Sequence, residues 1–84
     1  MNNNKEKMRF ELDVHGKIVF ADYRQEKDTL IIDYVEAPLE LRGSGAAGML
    51  MQEIVAFAQQ EKLKIIAHCS YARSWLARHT NLPR

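Results

Sequence analysis

The chain has a single cysteine, Cys69, in 84 residues. No internal disulfide can form, and a lone thiol suits a reducing cytoplasmic setting. An excess of charge of either sign is also missing: 12 Lys and Arg stand against 11 Asp and Glu, interleaved, for a net charge of +1. Such a balance gives no electrostatic footing for nucleic acid or for an anionic membrane. No apolar run approaches the roughly 20 residues needed to span a bilayer. The opening Met1-Asn2-Asn3-Asn4-Lys5-Glu6-Lys7 has no apolar centre, so it does not read as a secretory signal. Residues 1–7 are expected to be a disordered, frayed tail. Residues 8–84 then make a single domain, too short for two cores. A chain of this length buries only about 60–65% of its unfolded surface, so its stability margin is thin. The 46% hydrophobic content is nonetheless ordinary for a folded globule.

Period-2 alternation comes first. Met8, Phe10, Leu12 and Val14 alternate with Arg9, Glu11, Asp13 and His15, which predicts a half-buried strand. Gly16 reads as a hairpin turn. Lys17 to Arg24 predicts a second strand, Gln25 to Asp28 a polar turn, and Thr29 to Val35 a third strand. Short connections make these three an antiparallel meander. From Ser44 the period changes: Ala47, Leu50, Met51, Ile54, Phe57 and Ala58 fall at three- and four-residue steps, an amphipathic helix of about four turns. It is expected to end near Glu61-Lys62. Lys64 to His68 predicts a fourth strand, parallel to the third because one helical crossover joins them. Ser70 is the expected cap of a last helix with a stripe of Ala72, Trp75, Leu76 and His79, stopped by Asn81-Leu82-Pro83. The fold class is therefore α+β: strand–strand–strand–helix–strand–helix, with a mixed sheet of three antiparallel strands and a fourth parallel to the third.

The segment joining the third strand to the first helix carries the chemistry. Val35-Glu36-Ala37-Pro38-Leu39-Glu40-Leu41 leads into Arg42-Gly43-Ser44-Gly45-Ala46-Ala47, which opens directly into the helical pattern. Small residues keep side chains away, so N–H groups at a helix start stay open to a phosphate or pyrophosphate. Gly43 to Gly48 also spells the dinucleotide fingerprint G-x-G-x-x-G. That motif needs its glycines immediately after the first strand and an acidic residue about 20 positions on. Here three antiparallel strands precede it, and His68-Cys69 stand where the acid would be. A Walker loop is excluded because Gly-Lys-Ser/Thr is absent. Close helix packing alone accounts for Ala47 and Gly48 but less well for Gly43 and Gly45, since glycine costs about 1 kcal/mol inside a helix.

Arg42-x-x-Gly45-x-Ala47 resembles the Arg/Gln-x-x-Gly-x-Gly/Ala signature of GNAT-type N-acetyltransferases. The longer pattern Glu36-Ala37-Pro38-Leu39-Glu40-Leu41-Arg42-Gly43, then Cys69-Ser70-Tyr71, then Trp75-Leu76-Ala77-Arg78-His79, is similar to the very short single-domain branch of that superfamily. The likeness runs from about Phe10 to His79. Ser70 and Thr80 depart from it, standing where the branch has proline. The resemblance implies a minimal GNAT-like fold and acetyl-CoA as the cofactor and acyl donor. It implies that Ala37 and Leu41 give backbone contacts to the pantetheine arm. Arg42, Gly43, Ser44, Gly45, Ala46 and Ala47 would hold the pyrophosphate, and Cys69 would sit near the thioester sulfur.

Acetyl transfer needs a polarised thioester carbonyl, an amine that loses a proton and a stabilised leaving thiolate. Cys69 fits a relay nucleophile, a proton donor to the thiolate, or a small apolar filler with no chemistry. Glu36 fits an acceptor of the amine's proton or a solvated strand-end carboxylate. Tyr71 fits a thiolate donor or a packing residue. His68, Cys69 and His79 do not make a zinc site: neighbours on a strand face opposite ways and a fourth ligand is missing, so no metal is expected. Arg73 and Arg78 are candidates for the 3′-phosphate of CoA, or for solvent. Trp75 reads as core, or as part of a homodimer surface. Two further functions stand beside N-acetyl transfer to an unidentified amine, small molecule or protein. One is a CoA-binding module without turnover. The other is a protein-interaction domain keeping a vestigial loop.

Overall fold

A computed structural model describes residues 1–79; the expected terminator Asn81-Leu82-Pro83 lies outside the described residues. The elements are β1 (Asn2–Asn4), β2 (Arg9–Val14), β3 (Lys17–Glu26), β4 (Thr29–Glu36), a single 3₁₀ turn (Leu39–Leu41), α1 (Ala46–Glu61), β5 (Lys64–Ala67) and α2 (Ser70–His79). The five strands form one mixed sheet in the order β1-β2-β3-β4-β5. The first four are antiparallel neighbours, and β5 runs parallel to β4. The α+β class and the strand-helix order expected from the sequence are those observed, with one strand more.

The extra strand is β1. Asn2, Asn3 and Asn4 pair with Glu11, Phe10 and Arg9 instead of fraying. Nothing in Asn-Asn-Asn alternates between apolar and polar, so periodicity does not reveal it. Polar contacts hold it: Asn2 and Asn4 donate to the two Glu11 carboxylate oxygens, and the Tyr23 hydroxyl donates to Asn3 Oδ1 at 2.6 Å. The Met1 amine lies 2.9 Å from Glu53 on α1.

The β2–β3 hairpin closes through His15 and Gly16, both with positive φ (54° and 80°), the mirror-image turn that matches strand twist. Val19, Ala21 and Tyr23 of β3 point to the helices and are buried, while Phe20, Asp22 and Arg24 alternate to the helix-free face. Leu30 and Ile32 of β4 continue the inner face, and Leu50, Met51, Ile54 and Ala58 of α1 lie on it. Phe10 anchors this layer, stacked on Tyr23 at 4.2 Å and edge-on to Phe57 at 5.4 Å. Trp75 of α2 is buried, which settles it as core. The Cys69 carbonyl accepts the first helical bond of α2, from Arg73 N–H at 2.9 Å, so Cys69 and not Ser70 is in the cap position.

Candidate functional site

The sheet divides at Asp33. Asp22 pairs with Tyr34, but the next residue, Tyr23, pairs with Ile32, so Asp33 is an extra residue bulged out of β4. Pairing with β5 stops at the same level: Ile32 opposite Ala67 is the last pair, and His68 N–H to the Ile32 carbonyl at 2.8 Å is the last bond. Beyond it, Tyr34 to Glu36 keep β3 on one side and lose β5 on the other. An antiparallel strand sends alternate N–H and C=O groups to its two sides. On the open side those groups border a cleft of about 330 Å³.

Tyr34, Val35, Glu36 and Ala37 form one wall of this cleft; Leu41 to Gly43 and Gly45 to Ala47 form the other, and Tyr71 of α2 closes the end. The second wall is a tight turn. Leu41 N–H donates to Pro38 O at 2.9 Å, Arg42 N–H to Leu39 O at 3.2 Å, and Ser44 N–H to Leu41 O at 3.1 Å. Ser44 Oγ also donates to Leu41 O at 2.5 Å and accepts Ala46 N–H at 3.3 Å. Leu41, a buried residue on the cleft wall, already has its N–H and carbonyl in these turn bonds, and Ser44 bonds within the loop and is absent from the cleft walls. The loop residues alternate: Arg42, Ser44 and Ala46 bond inward. The amides of Gly43, Gly45 and Ala47 find no acceptor among the described residues.

The glycines serve the open side. Gly43 and Gly45 have φ of +83° and +88°, and a Cβ on either would meet nothing within 4 Å. Backbone conformation and free space, not packing, account for them. Gly48 is the packing glycine, since a Cβ there would stand 3.2 Å from Trp75 Nε1. The N-cap residue of α1, Gly45, has no side chain to cap the helix, and the first turn carries no acidic residue. The positive end of the helix borders the cleft through Gly45, Ala46 and Ala47.

Three side chains link across the mouth. The Tyr34 hydroxyl donates to Glu36 Oε1. Arg42 Nη2 lies 3.8 Å from Glu36 Oε2, and Arg42 Nε donates to the Ala37 carbonyl at 3.2 Å. The bond to Glu36 holds the Tyr34 phenol above its ordinary pKa; burial does the same for Tyr71. Both phenols carry their protons at neutral pH. Cys69 is half-buried, packs against the core edge and is absent from the cleft walls, though its charge would be felt by both tyrosines. Arg73 donates to the carbonyls of Ala67 and His68, at 3.4 and 3.0 Å, and so fastens the end of β5. His79 stacks on Trp75 at 4.3 Å, with Nδ1 3.0 Å from the Trp75 carbonyl.

Of the residues singled out in the sequence, Glu36, Ala37, Leu41, Arg42, Gly43, Gly45, Ala46 and Ala47 are gathered on the cleft. Sequence reasoning missed Tyr34. Its signal was its position two residues before Glu36, which puts both side chains on one face of the strand. Among the described residues, no helix is long and apolar enough to cross a membrane.

No curated protein matches the sequence at a significant level. The family model described as GCN5-related N-acetyl-transferase matches residues 9–83, nearly the whole chain. With its split sheet and the uncapped helix facing the split, the chain belongs to the GCN5-related N-acetyltransferase family.

Proposed function

We propose that this domain is an acetyl-CoA-dependent N-acetyltransferase whose donor lies in the cleft between β4 and β5. The observation that carries the reading is the row of amides on Gly43, Gly45 and Ala47, which line the cleft at the start of α1 and find no acceptor among the described residues. Three unsatisfied donors and a helix dipole fit a diphosphate. The open edge of β4 from Tyr34 to Glu36 fits the amide groups of a pantetheine arm, which bond to it as a further strand would.

The donor supplies an activated acyl group and a thiolate leaving group. The chain's own residues do the rest. Arg42 adds a cation beside the phosphate amides. The edge N–H groups of β4 orient and polarise the acyl carbonyl. The Glu36 carboxylate accepts the proton lost by the attacking amine. The Tyr71 O–H, kept protonated by burial, gives its proton to the departing sulfur. Cys69 stands behind this set, outside the walls, and serves packing.

A second reading, a CoA binder without turnover, is favoured by the occupation of Glu36: among the described residues it is the only carboxylate on the cleft walls, and it is already bonded to Tyr34 and close to Arg42. Isothermal titration with acetyl-CoA tests both readings together. Absence of heat and of any thermal shift rejects both. Binding followed by acetylated product on a panel of amines selects the enzyme, and binding with slow hydrolysis alone selects the binder.

A further inference from the structure

Among the described residues, the one acidic and the one basic side chain on the cleft walls are tied to each other. Arg42 Nη2 stands 3.8 Å from Glu36 Oε2, and its Nε is spent on the Ala37 carbonyl. Tyr34 occupies the other carboxylate oxygen. Glu36 is thus engaged on both oxygens. Arg42 lines the same cleft as Gly43, Gly45 and Ala47, whose amides find no acceptor among the described residues.

A guanidinium gains more from a phosphate, which takes two parallel bonds and carries greater charge, than from one loose contact. The contact with Glu36 is loose by that standard: it is long, and its side chains are 59% and 37% exposed. We infer that Glu36 and a diphosphate compete for Arg42, so that filling the phosphate end of the cleft releases the Glu36 carboxylate at the other end. The inference rests on the diphosphate reading given above and adds an order to it. In the free protein the proton acceptor is restrained by its ion pair. Once the donor is seated, Arg42 moves to the phosphates, Glu36 keeps only the Tyr34 bond, and one carboxylate oxygen faces the incoming amine.

The test is a double-mutant cycle read by titration of CoA, with inorganic pyrophosphate as a second probe, at low salt. The proteins are wild type, Glu36→Gln, Arg42→Met and the double variant; both side chains are exposed enough for the fold to survive. Glu36→Gln is expected to tighten CoA binding by about two- to fivefold, the size of a surface ion pair that no longer has to be broken. Arg42→Met weakens binding, and in that background Glu36→Gln changes nothing. Equal tightening in both backgrounds would mean simple repulsion between Glu36 and the phosphates and would overturn the competition, as would no tightening in either. If neither CoA nor pyrophosphate binds the wild type, the diphosphate reading falls and takes this inference with it. If both bind and the cycle is additive, the competition alone falls.

Discussion

Gly48 of α1 lies against the indole of Trp75 on α2, close enough that a Cβ on Gly48 would stand 3.2 Å from Trp75 Nε1 and 3.8 Å from the Tyr71 hydroxyl. Trp75 is buried and its ring stacks on His79, so the indole has little room to retreat. Gly48→Ala gains roughly 1 kcal/mol of helix propensity and loses roughly 1–3 kcal/mol to overpacking. The expected net is a loss of about 1 kcal/mol in urea unfolding, with Gly48→Val costing more. An alanine variant more stable than wild type would mean that α2 rides freely on α1.

Gly43 and Gly45 should behave in the opposite way. Alanine at either meets no neighbour, so its stability cost is the backbone term alone, about 1 kcal/mol for an L-residue held at positive φ. Its methyl group would instead enter the space beside the open amides. Both variants are therefore expected to lose CoA affinity by well over tenfold while remaining folded, and Gly48→Ala to lose far less. Titration of the three variants with CoA, alongside their unfolding curves, separates the two kinds of glycine. Undiminished affinity in Gly45→Ala would remove the phosphate site from this loop.

These contrasts mark where the sequence was legible and where it was not. The inner faces of β2 and α1 were readable because burial of one face imposes period 2 on Phe10, Leu12 and Val14 and period 3.6 on Leu50, Met51, Ile54 and Ala58. The loop was readable because glycine and alanine at a helix start have few uses. The bulge at Asp33 was not, since register is a property of two strands and no single residue type marks it. β1 was hidden because Asn2 to Asn4 are held by polar bonds to Glu11 and Tyr23, which leave no periodicity. The inward turn of Ser44 rests on its bonds to Leu41 and Ala46, and the cap position of Cys69 on one bond from Arg73, all finer than any spacing pattern.

Asp33 gives the split a pH dependence. Arg24 of β3 donates to both its carboxylate oxygens, at 2.7 and 2.9 Å, and His68 stands 3.5 Å away. The hydrogen bond from Arg24 holds the Asp33 carboxyl below its ordinary pKa; desolvation is the next largest effect and opposes it, and the charges of Arg24 and then His68 add smaller contributions in the lowering direction. A carboxyl whose folded pKa is depressed contributes stability above its unfolded value and loses it as pH falls through the folded one. Arg24→Gln should thus be less stable than wild type at about pH 7, and the gap should narrow as pH falls through the depressed folded pKa of Asp33 and the carboxylate is lost. The pair is largely exposed, so the gap at neutral pH is small. Thermal melts of both proteins across this range give the check; a gap that persists in acid would locate Arg24's contribution in packing.

Cys69 and Tyr71 are two residues apart, yet only Tyr71 reaches the cleft wall. If Tyr71 gives the proton to the leaving sulfur, Tyr71→Phe keeps the ring and the CoA affinity, and lowers kcat by roughly a hundredfold or more, the usual scale for a lost general acid. Loss of the donor should also flatten the alkaline limb of the pH–kcat profile, since the phenol whose ionisation ends proton donation is gone. Cys69→Ser is expected to leave both kcat and KM within about threefold of wild type, because a side chain outside the walls contributes through packing and not through bond making. Intact-mass spectrometry during turnover distinguishes the roles further: an acetylated wild-type enzyme that disappears in Cys69→Ser would make the thiol a covalent relay. In that case α2 would have to swing Cys69 past Tyr71 into the cleft, and the resting arrangement of the two side chains would be an inactive one.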